Sequence, residues 1–158
     1  MVKKSVRRLE NRIPPPVVGL LVAIGMWLLA RRWPIIAFSL PHPFLIGLAH
    51  ASVGGIISTA GAREFRRVKT TVNPLHPERA TSVVTTGIYR WTRNPMYVGI
   101  AMVLLGCFLG FGGLSAAVGL PAFVWYITRF QIVPEERTLE AKFGEAYSAY
   151  RASVRRWL

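Results

Sequence analysis

The chain of 158 residues has one cysteine, Cys107, and only seven Asp and Glu. A single thiol excludes an internal disulfide framework. The few acids leave 20 Lys and Arg largely unbalanced, so the formal net charge is +13. Soluble nucleotide-binding signatures are missing too: there is no G-x-G-x-x-G, no P-loop and no Cys/His zinc spacing. Charge of either sign is absent from three long stretches: residues 13–30, 33–62 and 94–128. Only His42 and His50 interrupt the second. These gaps exclude an ordinary soluble domain, and the 52% apolar content excludes disorder.

What fills the gaps is long enough to cross a bilayer. A helical span needs roughly 20 apolar residues, because lipid offers the backbone no outside hydrogen-bond partner. The stretches predict an all-α integral membrane protein with about four transmembrane helices, near 16–30, 43–61, 95–111 and 114–130. The last two share one run and turn at Gly110–Gly113. Lys3, Lys4, Arg7 and Arg8 before the first run look like the basic start of a signal peptide. No small-x-small site precedes Arg31 and further spans follow, so the run is read as a span. The expected organisation is one membrane-embedded domain over 1–158, with N-terminal helices over 1–62 and a cofactor-binding core over 63–158.

The basic residues then mark topology. With four spans, the N-terminal arm, the middle loop and the C-terminal tail lie on one side and carry 18 of the 20 Lys and Arg. The positive-inside rule makes that side cytoplasmic, with both termini inward. The same charge attracts anionic lipid head groups, and no nucleic acid is needed to explain it.

Small residues at four-residue spacing, Gly47, Ala51, Gly55 and Thr59, with Gly106 and Gly110 on the third helix, predict close helix contact. Pro121 is expected to kink the fourth helix. Cys107 reads as filler, and His42 and His50, without a nearby acid or thiol, read as packing or helix-end residues rather than metal ligands.

Two cytoplasmic segments carry chemistry. Arg93-Asn94-Pro95 reads as a helix start, with Asn94 at the N-cap and Pro95 at the first helical position. Exposed amides there favour an anion, and Arg90 and Arg93 could bond to the same group. Pro134-Glu135-Glu136 reads as a second helix start. Beyond it, Leu139, Phe143, Tyr147, Tyr150 and Val154 form an apolar stripe. That stripe predicts a C-terminal amphipathic helix lying along the interface.

In order, Gly87-Ile88-Tyr89, Arg93-Asn94-Pro95-Met96-Tyr97-Val98-Gly99, Glu135-Glu136 and Phe143-Gly144-Glu145-Ala146-Tyr147 form a recognisable set. The set resembles the membrane methyltransferases related to isoprenylcysteine carboxyl methyltransferase and phosphatidylethanolamine N-methyltransferase, in particular their short prokaryotic members. It covers roughly residues 70–157. The resemblance implies an S-adenosylmethionine-dependent enzyme, multi-pass in a prokaryotic cytoplasmic membrane, that methylates a membrane lipid or a small hydrophobic acceptor on O, N or S. It implies cofactor contacts at Val83, Val84, Gly87, Tyr89, Arg93, Asn94, Pro95, Tyr97 and Glu135. An amine or thiol acceptor must lose a proton, for which Glu136 or Tyr97 is the expected catalytic group. Gln131 stands where the eukaryotic isoprenylcysteine enzymes place a substrate-binding Arg, and Asn94 where they have His. No metal is implied. The rival readings are an NADPH-dependent membrane reductase of the sterol-reductase type, and a non-enzymatic membrane scaffold.

Overall fold

The computed structural model describes residues 10–71 and 75–158 and is helical almost throughout. Its α-helices are α1 (Pro15–Arg32), α2 (Pro43–Arg67), α3 (Pro95–Phe111), α4 (Gly119–Ile127), α5 (Val133–Phe143) and α6 (Glu145–Ser153). Among the described residues, three helical runs are long and apolar enough to cross a membrane: Pro15–Arg32, Pro43–Arg67 and Leu114–Phe143. Helix α3, expected as a fourth span, is apolar but has 17 residues. The basic part of the expected N-terminal arm before Glu10 lies outside the described residues.

Helix α3 lies between its neighbours, with α2 on one side and α1 and α4 on the other. At one end of the bundle the chain crosses between helices, where the Phe38 N–H donates to Gly112 O at 2.8 Å and the Leu114 N–H to Ile36 O at 3.0 Å. The first described residues and the C-terminal tail meet at the opposite end. There Glu10 accepts from Arg129 and Arg137, and Trp157 donates to Thr128. The outward faces of α1 and α2 expose Leu20, Leu21, Ile24, Leu45, Leu48 and Ile56. Such a surface suits lipid and not water.

The α2–α3 seam is built from small residues, in a register partly different from the expected one. Gly47 does meet Gly106: a Cβ on Gly106 would lie 2.9 Å from the Gly47 carbonyl oxygen. Further along, the contact runs through Gly54, Ser58 and Gly61, because a Cβ on Gly54 would collide with the Gly99 carbonyl. Gly55 faces open space, and Thr59 bonds back to Gly55 and Ile56 of its own helix. The mean of 3.6 residues per turn explains the slip, since a strict four-residue stripe drifts around the cylinder. His50 Nδ1 donates to the Ile46 carbonyl at 2.8 Å, as a packing histidine does.

The other half of the core surrounds Met26, Leu104, Phe123 and Ile127, all 1% exposed or less. Phe123→Ala should cost about 3–5 kcal/mol, because the closely packed helices cannot collapse onto the void. Thermal unfolding in detergent measures it, and a shift below about 1 kcal/mol would show that this core is not tightly packed.

Pro121 does not sit mid-helix. A 3-10 turn, Leu114–Val118, precedes it, and the proline lies in the first turn of α4. The irregularity falls later, in a π turn over Thr128–Ile132 that leads without a break into α5. Pro134 has no N–H for the Phe130 carbonyl four residues back. The Asn11 N–H fills that place at 2.9 Å. The expected single tail helix is two, α5 and α6, parted at Gly144 with φ +52°. Its apolar stripe packs on Val84, Tyr89 and Phe65, so that face is spent on protein contacts and not laid on lipid.

Candidate functional site

The start of α3, the loop before it and helices α5 and α6 enclose one cavity with the end of α2. Its interior volume is about 100 Å³, and the empty space reaches about 790 Å³ only when the open mouth is included. Of the residues expected from sequence, Val83, Val84, Tyr89, Arg93, Asn94, Tyr97, Glu135 and Glu136 all line it. Eight positions from three separate segments therefore converge. Gly87, Pro95 and Gln131 do not line it.

Each exception has a physical reason. Gly87 has φ +58°, and a Cβ there would press on the Glu64 carboxyl at 2.7 Å. It serves the turn that aims Tyr89, which non-glycine residues adopt only with strain. Pro95 is fully buried at the first turn of α3 against Gly61. Gln131, expected at the substrate, is 1% exposed and donates its Nε2 to the Ile13 carbonyl at 2.7 Å. It anchors the N-terminal segment to the π turn.

Asn94 stands at the N-cap position, but its side chain makes no capping bond. Its Nδ2 donates instead to the Arg156 carbonyl at 2.9 Å. Arg90 is exposed and outside the cavity.

The two acids at the head of α5 have opposite surroundings. Glu136, 6% exposed, is clamped by Arg93 Nη2 at 3.0 Å and by Arg156 through Nε at 3.1 Å and Nη2 at 2.7 Å. Two guanidinium groups hold both oxygens, so the expected role of Glu136 as a free proton acceptor is replaced by a structural one. Glu135 accepts only from the Tyr97 hydroxyl, at 3.1 and 3.2 Å. Among the described residues no cation pairs with it. A carboxylate in a largely apolar cavity is costly unless a positive partner arrives.

Two polar atoms of the cavity lining face the complementary problem. Arg93 Nε and Ser82 Oγ are buried and, among the described residues, have no hydrogen-bond partner. The cavity thus offers one acceptor lacking a cation and two donors lacking an acceptor. Burial raises the phenols of Tyr89, Tyr147 and Tyr150, which therefore stay neutral at physiological pH. For Tyr147, to which Glu136 also contributes, the value reaches about 12. The Tyr150 hydroxyl donates to the Tyr89 carbonyl at 2.8 Å and ties α6 to the turn before α3.

Ser82, Phe65, Met96, Leu139, Tyr147 and Tyr150 were not expected in the site. The spacing of Tyr147 and Tyr150 was visible in the stripe, but the stripe alone does not say what it covers. Phe65 belongs to α2, which runs on to Arg67 across the expected boundary at 62/63. Among the described residues no group of three His, Cys, Asp or Glu could hold a metal.

The phospholipid methyltransferase family matches residues 42–146. That match includes α2, which carried little of the motif resemblance, and stops short of the tail. A protein-S-isoprenylcysteine O-methyltransferase of Schizosaccharomyces pombe is 33% identical over 72 residues, 46% of this chain and 30% of its own length. Protein-S-isoprenylcysteine O-methyltransferase A of Arabidopsis thaliana is 32% identical over 108 residues, 68% of this chain and 55% of its own. An uncharacterized protein of Haemophilus influenzae is 43% identical over 63 residues, 40% of this chain and its entire length. The chain thus matches 30% and 55% of the two methyltransferases named. No solved structure matches it significantly.

Proposed function

Because the chain belongs to the phospholipid methyltransferase family, we propose that it is a membrane methyltransferase that takes its methyl group from S-adenosylmethionine. The observation that carries this is the pairing of needs in the cavity. The uncompensated Glu135 lines the same cavity as Arg93 and Ser82, whose Nε and Oγ are buried without partners among the described residues. An amino-acid zwitterion answers both, with its ammonium for Glu135 and its carboxylate for the donors. Tyr89 and Tyr147 supply aromatic faces suited to a sulfonium. When bound, the cofactor supplies an electrophilic methyl group.

The chain's own contribution is alignment and exclusion of water. Tyr97 fixes the Glu135 carboxylate, and Glu136 fixes Arg93. An oxygen acid as acceptor needs no base. An amine or thiol must first lose a proton. The acceptor is a membrane lipid or another hydrophobic molecule. Its chain would lie among the exposed apolar faces of α1 and α2. The charge pattern supports a multi-pass protein of a prokaryotic cytoplasmic membrane, with the cavity and both termini cytoplasmic and anionic head groups nearby.

A reductase reading would require NADPH, whose phosphates need free cations. Arg93 is the one guanidinium among the described residues of the cavity lining, too little for several phosphates, and Glu135 repels phosphate. In detergent, S-adenosylhomocysteine at 100 times its Kd should stabilise the protein by about 2.7 kcal/mol, and NADPH should not. A shift with NADPH alone would overturn the methyltransferase reading, and no shift with either would favour a scaffold.

A further inference from the structure

We infer that the C-terminal tail after α6 is part of the ligand site, with Arg156 a positioning residue for the amino-acid end of the ligand. The inference rests on the S-adenosylmethionine reading above. Arg156 does not line the cavity, and the family match ends before it, so neither marks it as functional.

Its contacts do. The chain leaves α6 extended at Val154, with φ −126° and ψ 137°. From there its backbone serves the turn before α3. The Arg155 carbonyl accepts the Arg93 N–H at 3.0 Å. The Arg156 carbonyl accepts Asn94 Nδ2 at 2.9 Å and Thr92 Oγ1 at 3.2 Å. The side chains serve the opposite wall. Arg156 grips both Glu136 oxygens, and Trp157 Nε1 reaches Thr128 Oγ1 in the π turn at 3.2 Å. Three tail residues, Arg155, Arg156 and Trp157, therefore bridge the start of α3 to the junction of α4 and α5.

The consequence falls on Arg93. Its Nη1 is held by the Arg151 carbonyl at 3.0 Å and its Nη2 by Glu136 at 3.0 Å. These contacts fix the plane of a guanidinium that lines the cavity, and its buried Nε has no partner among the described residues. Glu136 can hold Arg93 in that pose only while Arg156 fixes the carboxylate from its other side. Without Arg156, Glu136 is free to turn, two neighbouring carboxylates compete for Arg93, and the pose of Arg93 in the cavity wall is lost. A planar bidentate fork does this where an ammonium cannot, since lysine offers a point charge.

The test compares two ligands in detergent by calorimetry: S-adenosylhomocysteine, and methylthioadenosine, which lacks the amino and carboxyl groups. Arg156→Gln should weaken the first at least tenfold and the second less than threefold. Arg156→Lys should give the same ordering with a smaller loss. Arg67→Gln, at the exposed end of α2, is the control and should bind both as wild type does. Equal weakening of both ligands would make Arg156 merely structural and overturn the inference, as would unchanged binding of both. Should the Gln variant not fold, the Lys variant decides by the same criterion. Wild type that binds neither ligand would instead overturn the underlying S-adenosylmethionine reading, and this inference with it.

Discussion

Glu135→Gln is expected to remove about half to most of the stabilisation that S-adenosylhomocysteine at 100 times the wild-type Kd gives the wild type. The substitution keeps the shape and the contact with Tyr97 but removes the acid able to pair with an arriving cation. A charge-assisted hydrogen bond contributes about 1.5–3 kcal/mol, so affinity should fall ten- to hundred-fold. The unliganded variant should be at least as stable as wild type, because a desolvated carboxylate without a cation is no longer held in an apolar cavity. Glu140→Ala is the matched control. Its carboxylate pairs with Arg151 on the exposed side of α5, where a salt bridge contributes little. Thermal unfolding with and without ligand reads both effects. Equal ligand responses in the two variants would show that Glu135 is not at the site.

The second large effect lies far from the cavity. Gly54→Val should destabilise the protein by about 1–3 kcal/mol or more, while Gly55→Val, one residue on, should change stability little. A side chain on Gly54 collides with the Gly99 backbone, which cannot swing aside as a side chain can, whereas one on Gly55 enters open space. Helix α2 packs chiefly on α3 and carries Phe65 to the cavity. The Gly54 variant should therefore also bind S-adenosylhomocysteine more weakly than wild type. Thermal unfolding with a binding isotherm checks both, and two variants of equal stability would refute the packing register.

Both predictions turn on what periodicity can and cannot convey. The apolar runs announced the membrane helices because a bilayer imposes a minimum length, and Pro95 and Pro134 announced helix starts because proline has no N–H to lose there. The converging residues were legible too, but through an ordered set of motifs and not through spacing. Their pairing was not. Glu135 and Glu136 are adjacent in sequence, and nothing local distinguishes the acid clamped by two arginines from the one left open. That difference depends on Arg156, twenty residues away and beyond two helices. Gln131 was misplaced for the same reason: its partner is the Ile13 carbonyl, at the other end of the chain. The four-residue stripe on α2 missed Gly54 because a helix does not repeat on four, and the π turn at Thr128–Ile132 leaves no mark in composition.

We propose, then, that this cavity delivers a methyl group from S-adenosylmethionine to a hydrophobic acceptor. Incubating the purified protein and a total lipid extract with methyl-labelled S-adenosylmethionine, then counting the organic phase, tests it directly. Wild type should transfer label into an extractable product, and Glu135→Gln should transfer at least tenfold less. Label that stays in the aqueous phase with wild type, or reaches the organic phase equally with the variant, would contradict the account.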